Sequence, residues 1–425
     1  MITLEATRDL VLSACSPLRS RSLPTAGVLG LVTDGPLVAP WPVPSFVNSA
    51  MDGFALRSAD LGTVPTELRV VADIPAGAPW AGTLRAGEAA RIMTGAPLPD
   101  GADAVCPVEQ TRAGSGPATV GILAPVGPGR HVRHPGEDVR QGDLVIDTGT
   151  LLSPAHLGLL ASLGIDRVRA VPRPTVGVLS TGDELTTLPG PPTAGRIRDA
   201  NRPALLAALA EAGCLPVDLG IVPDDGDRLA AALLDGARRC DALVTSGGVS
   251  VGDHDLTRLV LERLCGPSTR WLQVALKPGK PFAFGTLPRT GQPLFGLPGN
   301  PVAALVVFAL IVRPALRHLA GHRPVLPPTL RATASAPIPR RPDGKLHAVR
   351  ALATVDADGR LTVAPSPHQG SHLLRTMADA NALVLLPDGP GVEAGAPVEV
   401  LLQSLDRTQP ETASGLPAGL ALALR

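Results

Sequence analysis

The chain has 425 residues, of which 44% are hydrophobic, and its 38 Lys plus Arg are balanced by 38 Asp plus Glu. That length suits roughly two to four domains with real cores. Balanced charge excludes a global field for nucleic acid or an anionic membrane, and the absence of Tyr, with 2% aromatics, removes the base-stacking platforms that single-stranded nucleic acid needs. Cys15, Cys106, Cys214, Cys240 and Cys265 are scattered without a C-x-x-C pair, and Glu5, Arg8 and Asp9 interrupt the N-terminus, unlike a signal peptide. The longest apolar run, residues 302–312, falls short of the roughly 20 residues that span a bilayer. A cytoplasmic protein with reduced cysteines is expected, with no membrane and no nucleic-acid partner.

Residues 3–14 (TLEATRDLVLSA) have helical periodicity, a Thr cap and Glu5 in the first turn, and stop near Pro17. From Leu23 to about Arg140, short β-type runs broken by Pro and Gly predict small strands with few helices. Residues 151–163 return to helix, with Ser153 as cap, Pro154 at the first helical position and Gly164 as the stop. This order suggests that a β-rich domain is inserted between two helical segments that belong together. From Pro174 the pattern alternates: predicted strands at 176–181, 217–222, 242–246, 271–276, 282–287 and 294–297, and helices at 202–212, 228–239, 255–264 and 301–319. Such alternation predicts a mostly parallel, doubly wound α/β sheet with ligands beyond the carboxyl ends of its strands. After Gly321 a Pro-rich linker leads to short strands with turns at Asp343-Gly344, Asp358-Gly359 and Asp388-Gly389, a pattern that predicts a small β-barrel or sandwich up to about Leu402. The tail beyond Asp406 lacks a strand pattern and is expected to be poorly ordered.

Chemistry collects on the loops of the α/β part. Residues 241–255 (DALVTSGGVSVGDHD) read as a buried strand, a glycine-rich turn and the start of a helix. Without Cβ atoms at Gly247, Gly248 and Gly252, backbone N–H groups can approach an anion, and the helix N-terminus adds partial positive charge. Asp253 and Asp255 in the same loop would repel a bare phosphate; Mg²⁺ held by carboxylates and phosphate oxygens removes the conflict. An ordinary strand-to-helix turn with an acidic cap is the alternative. Three more loops are predicted on the same sheet edge: 180–185 with Asp183 and Glu184, 223–227 with its acids, and 296–301 with Asn300 as helix cap and Pro301 at the first helical position. Singly, each is also explained as a cap or turn. Lys277 and Lys280 lie on a proline-stiffened turn (KPGKP) that can preplace ammonium groups for an oxyanion, or simply be a solvated surface turn. In the β-rich insertion, the runs around Asp52, Thr94 and Asp138 are read from chemistry alone as turns. The pairs His131/His134 and His368/His372 lack Cys or carboxylate partners for a metal, and no Ser/His/Asp nucleophile elbow is present.

The motifs NSAMDGFA, RIMTGAP, GED, STGDEL, TSGGVSVGDHD, KPGKPFAFG and GLPGNP, in this order between residues 3 and 402, resemble the molybdopterin molybdenumtransferase (MoeA) family. Its eukaryotic relatives are the E domains of gephyrin and of the plant molybdenum-cofactor insertase. The resemblance implies an elongated dimerisation region (1–22 with 140–171), a β-rich insertion (23–139), a molybdopterin-binding α/β domain (172–321), a C-terminal β-barrel (322–405) and a tail (406–425) outside the family pattern. It also implies a homodimer, with the insertion of one subunit meeting the α/β domain of the other, and contact with molybdopterin adenylyltransferase. The implied reaction takes adenylylated molybdopterin and molybdate, cleaves the pyrophosphate link with Mg²⁺, and releases AMP.

By the same resemblance Asp52, Thr94, Asp138, Glu184, Asp225, Asp255 and Lys277 become catalytic candidates. Ser246, Gly247, Gly248, Ser250, Gly252, Lys280, Pro298, Gly299, Asn300, Pro301, Arg350 and Ser371 become substrate-binding ones, and Asp183, Glu184, Asp253 and Asp255 candidates for Mg²⁺. Val47 and Phe54 depart from the acid and aromatic hydroxyl that members often carry there. Adenylyl transfer to molybdopterin, and a non-catalytic dimeric scaffold, are the competing functions. The first lacks the insertion and barrel predicted here, and the second has no need of acidic loops and paired lysines.

Overall fold

The computed structural model describes residues 1–187, 189–190, 193–248 and 256–403; Ser250, Gly252, Asp253, Asp255 and the tail lie outside the described residues. The chain forms two compact units, one of Met1–Arg21, Gly30–Val32 and Val171–Arg425, the other of Ser22–Leu29 and Thr33–Ala170.

The α/β sheet of the first unit has strands β1 (Thr175–Thr181), β2 (Leu215–Val222), β3 (Ala242–Ser246), β4 (Arg270–Gln273), β5 (Pro281–Thr286) and β6 (Pro293–Leu297). Their spatial order is β2-β1-β3-β6-β5-β4. The first four in that order are parallel, and β5 and β4 close the far edge antiparallel. Every residue of β3 is buried, as a parallel strand covered on both faces requires, and this explains why 242–246 is an unbroken apolar and small-polar run. One face packs Val176, Val178, Phe284 and Phe295 against Leu205 and Leu209 of helix Asn201–Glu211. The other packs Leu179 and Leu243 against Leu229 and Leu233 of helix Gly226–Ala237 and Leu261 of helix Leu256–Cys265. The sheet is doubly wound.

Helix Leu4–Ala14 was expected to associate with the later helical segment around residues 151–163. It joins the α/β core instead: Leu4 and Val11, two turns apart on one stripe, are buried there, and Arg8 Nε donates to the Leu310 carbonyl at 2.6 Å. The long apolar helix has the predicted bounds but is apolar over more of its length than the 302–312 run alone suggests. It runs Pro301–Leu319, 19 residues with a window of mean hydropathy 1.8, so length and composition alone do not exclude a bilayer. Burial decides, because 78% of that window is covered by the protein's own fold. A π-helical turn interrupts it at Phe308–Val312.

The C-terminal sheet closes on itself. Strands β7 (Leu330–Ala334), β8 (Leu346–Val355), β9 (Leu361–Pro365), β10 (Ala382–Leu386) and β11 (Pro397–Leu402) pair in the cycle β8-β9-β7-β11-β10-β8, a five-stranded barrel filled by small and β-branched residues such as Ala334, Ala351, Val363, Val384 and Val400. The predicted strand 271–276 is two pieces: after β4, residues Leu276–Lys277 leave the α/β sheet and pair in parallel with β8.

In the second unit a six-stranded sheet places Ala104–Pro107, Gly53–Leu56, Glu88–Ile92, Thr66–Ile74, Thr119–Ile122 and Thr111–Ala113 side by side. Leu56, Ala89 and Cys106 face one cluster while Ala55, Ala90 and Val105 face the other, a period of two that buries both faces. Helix Pro154–Ser162 starts as the sequence predicts, with Ser153 accepting from the His156 N–H and Pro154 following it.

Phe295→Ala, which removes a fully buried ring from the centre of the α/β sheet, is expected to cost about 3–5 kcal/mol, whereas Leu234→Ala, half exposed on a helix, should stay within about 0.5 kcal/mol. Urea midpoints of the two variants check this.

Candidate functional site

β1, β3 and β6 are neighbours and end together: Ser180 pairs with Ser246, and Ser246 with Leu297. β2 lies on the far side of β1 from β3, so the strand order, not the strand direction, reverses between β1 and β3, and the crevice at such a switch point is where open α/β sheets bind ligands. The loops with Asp183, Asp224, Gly247 and Gly299 all leave from this edge. Two of the glycines are needed for packing. Gly247 has φ +100°, and a Cβ there would stand 2.5 Å from the Thr181 carbonyl oxygen. Gly248 has φ +64°, and its Cβ would stand 2.1 Å from Thr257 Oγ1. A larger residue at 248 therefore collides with the protein's own helix before it fills any space meant for a ligand. Gly299 has open space, its nearest neighbour being the Gly247 Cα at 3.9 Å.

Asn201 holds these loops together. Its Nδ2 donates to Ser246 Oγ at 2.6 Å and to the Gly299 carbonyl at 2.7 Å. Asp199, two residues earlier, accepts from Ser180 Oγ at 3.1 Å and from Arg202 Nε at 2.9 Å, which anchors the start of the helix that presents Asn201. A cavity of ≈ 150 Å³ results, lined by Glu184, Asn201, Ser246, Gly247, Gly299 and Pro301. Pro298 is buried behind it, while Asn300 is exposed and occupies the helix cap position without making a side-chain cap bond, so its predicted capping role is not realised.

The acidic loops divide their labour differently from the sequence reading. Asp225 accepts from the Asp227 and Arg228 N–H groups, and the Arg228 bond, followed by the Asp227 one, lowers its pKa; it is the cap of helix Gly226–Ala237. Its neighbour Asp224 turns to the Thr181–Asp183 loop instead. Thr181 Oγ1 donates to Asp224 Oδ1 at 3.2 Å, the Asp183 N–H to Asp224 Oδ2 at 3.4 Å, and the Asp224 N–H to Asp183 Oδ1 at 3.2 Å. Asp183 and Glu184 are exposed, and a Cβ on Gly182 would collide with the Glu184 carboxylate at 2.6 Å, so that glycine lets Glu184 fold back over the loop. Among the described residues no cluster of three or more His, Cys, Asp or Glu is arranged around a metal. Asp183 and Asp224 still present two carboxylates with a hydroxyl beside them, an all-oxygen donor set suited to a hard cation that shares its coordination with phosphate.

Lys280 is exposed on its turn. Lys277 reaches to the barrel, where its Nζ lies 3.7 Å from Asp343. Arg350 is fully buried, so it is not an exposed ligand: its Nη2 donates to the carbonyls of His368 (2.7 Å) and Gly370 (3.2 Å) and props the turn that carries Ser371. Its Nε and Nη1 have no partner. The Ser371 carbonyl accepts from the Val302 N–H at 3.1 Å, which joins that turn to the first turn of helix Pro301–Leu319.

In the second unit, the Asn48–Asp52 and Thr94–Pro97 runs zip together through Ser49 N–H to the Ala96 carbonyl (3.0 Å) and Gly95 N–H to the Ser49 carbonyl (2.8 Å). Thr94 then donates both its N–H (2.7 Å) and its hydroxyl (2.8 Å) to Asp52 Oδ1, and these bonds lower the Asp52 pKa. Asp138 is exposed on a separate loop, its N–H bonded to the Val43 carbonyl. Thr94→Val should raise the Asp52 titration midpoint towards the ordinary carboxylate value of about 3.9. The stabilisation linked to that carboxylate is present above its unfolded pKa and lost as pH falls through the folded one. Carboxyl-carbon NMR of labelled Asp reads the shift.

The molybdopterin molybdenumtransferase of Haemophilus influenzae is 38% identical over 404 residues, 94% of this chain and 98% of that protein. The chain belongs to the molybdopterin molybdenumtransferase (MoeA) family. Molybdopterin molybdenumtransferase 2 of Mycobacterium tuberculosis is likewise 38% identical, over 92% of this chain and 96% of its own length. Three family descriptions match in chain order: the MoeA N-terminal region (domain I and II) at residues 2–164, a probable molybdopterin binding domain at 177–318, and the MoeA C-terminal region (domain IV) at 331–403. Among solved structures, the molybdopterin biosynthesis MoeA protein of Pyrococcus horikoshii superposes with TM-score 0.78 at 25% identity over 95% of this chain and all of that one. The doubly wound domain, the β-rich insertion and the closed barrel are thus a MoeA-type architecture.

Proposed function

We propose that this protein inserts molybdenum from molybdate into adenylylated molybdopterin and releases AMP. The observation that carries the reading is the glycine cradle of Gly247, Gly248 and Gly299, tied by Asn201 at the switch point of the sheet, with the Asp183–Asp224 pair beside it. Ser246 and Pro301 line the cavity in which the phosphates and pterin would rest, with Pro298 buried behind it and Asn300 exposed beside it, and the positive end of helix Pro301–Leu319 favours an anion there. Ser250, Gly252, Asp253 and Asp255 belong to the same proposal. Mg²⁺ bound with help from Asp183, Glu184 and Asp224 would neutralise charge on the diphosphate. The chain's own residues do the rest: backbone N–H groups hold the leaving phosphate, and Lys277 and Lys280 hold molybdate. Arg350, enclosed, acts through the turn it props, and the Ser371 turn completes the oxyanion side of the site from the barrel.

Asp52, Thr94 and Asp138 are proposed to serve the same reaction within a homodimer, which sedimentation would report as twice the 43.5 kDa chain mass. The five buried free cysteines, with burial pushing Cys15 and Cys214 up to about 12, suit a reducing compartment, and we place the protein in the cytoplasm.

Incubation of the pure protein with adenylylated molybdopterin, molybdate and Mg²⁺ should release AMP in step with molybdenum bound to the pterin. Adenylylation of molybdopterin from ATP would mark an adenylyltransferase instead, and no turnover with either substrate set a scaffold. Within the acidic loop, Asp224→Ala should lower AMP release by roughly a hundredfold or more, by analogy with the removal of one preorganised electrostatic contact. Asp225→Ala should mainly cost about 0.5–2 kcal/mol of stability through the lost cap. Parallel assays and melts of the two variants decide which aspartate serves the site.

A further inference from the structure

Residues Leu276–Lys277 lie beside Leu346 and His347 of β8, so Lys277 is in register with His347 on the barrel. Between them stands Asp343, from the Asp343-Gly344 turn. Its carboxylate accepts from Arg340 Nη2 at 3.0 Å and Lys345 Nζ at 3.2 Å, contacts His347 Nε2 at 3.1 Å, and faces Lys277 Nζ at 3.7 Å. Arg340 is buried, and Asp388 takes it as well at 2.7 Å, together with the carbonyls of Lys345, Leu386 and Pro387. Burial works against ionisation of Asp343, yet the bonds from His347 and Lys345 hold its pKa at about 2, so it is a carboxylate throughout the working range.

Lys277 differs from the other cations around this carboxylate. Its contact is the longest and its side chain keeps 59% of its exposure, against 2% for Arg340 and 22% for Lys345. It borders a cavity of ≈ 570 Å³ whose other polar walls are Arg340, Arg341, Asp343, His347, Ser366 and Gln369. An ammonium has three N–H donors, and one carboxylate contact leaves the others for a ligand. Lys277, Lys345 and Arg340 outnumber Asp343 and Asp388, so the cluster stays net positive and the carboxylate does not turn an oxyanion away.

We infer that Asp343 is a positioning residue: it holds the Lys277 ammonium against the barrel wall of this cavity, with its remaining donors turned to the oxyanion substrate. The inference rests on the reading of Lys277 as a molybdate ligand, and a double-mutant cycle separates the two. Molybdate titrations of AMP release are run on the full chain for wild type, Lys277→Ala, Asp343→Asn and the double variant. Lys277→Ala should raise the molybdate KM by roughly tenfold. Asp343→Asn should raise it roughly threefold, the scale of a half-exposed ion pair, with kcat within about twofold, and the double variant should be no worse than Lys277→Ala. Asp343→Glu should recover most of the loss. An unchanged KM in Lys277→Ala would overturn the reading of the lysine. A shifted KM there with none in Asp343→Asn, or an equal Asp343→Asn penalty when Lys277 is already gone, would overturn the positioning role. Should Asp343→Asn fail to fold, Asp343→Ser, which suits the same turn, takes its place in the cycle.

Discussion

The turn after β3 crosses the end of β1 so closely that no side chain fits between them: a Cβ at residue 247 would come within 2.5 Å of the Thr181 carbonyl oxygen. Much else depends on that approach. Because the two strand ends touch, Ser246 falls within reach of Asn201, Asn201 falls within reach of Gly299, and three loops separated by up to 98 residues share one hydrogen-bonded centre. The Gly247 N–H is itself bonded to the Leu297 carbonyl at 3.4 Å, which ties the end of β6 into the same centre. The arrangement needs positive φ at 247 and 248, a conformation glycine adopts without the steric penalty that other residues meet.

What was legible in the sequence follows from how local each signal is. The α/β alternation was visible because the inner parallel strands β1, β3 and β6, buried on both faces, are runs of apolar and small residues closed by Gly or Pro, and the helices carry apolar stripes. The Ser153-Pro154 helix start was readable for the same reason. Partners were harder to read. Nothing within residues 3–14 tells whether Leu4 and Val11 face the helix around residue 156 or the one that begins at Pro301. Adjacent aspartates at 224 and 225 are chemically identical, and only the path of the chain out of β2 decides that one caps a helix while the other meets Thr181 and Asp183. Asn201 went unnoticed because a single amide at the start of a helix resembles an ordinary cap until its two partners are known.

Arg350 shows a further limit. As a residue in a barrel strand it looked like a side chain reaching for an anion, yet it is enclosed and binds main-chain carbonyls. A buried guanidinium with two nitrogens, Nε and Nη1, lacking partners is costly, since each unpaired N–H forfeits its hydration without replacement. That cost singles out this part of the barrel as a place where function and stability pull in different directions.

The short strand Leu276–Lys277 has a mechanical consequence. It is hydrogen-bonded to the barrel, through the Leu346 N–H to the Ala275 carbonyl among others, while β4 and β5 on either side of it belong to the α/β sheet. The turn with both lysines is therefore clamped at its base by one structure and at its ends by another. A hinge between barrel and sheet cannot open freely at this point, since backbone bonds would break or the turn would be dragged along. Any breathing of the barrel becomes a displacement of the lysines relative to the phosphate cradle, a lever in which a small rotation at one end alters the spacing between the two anion sites at the other.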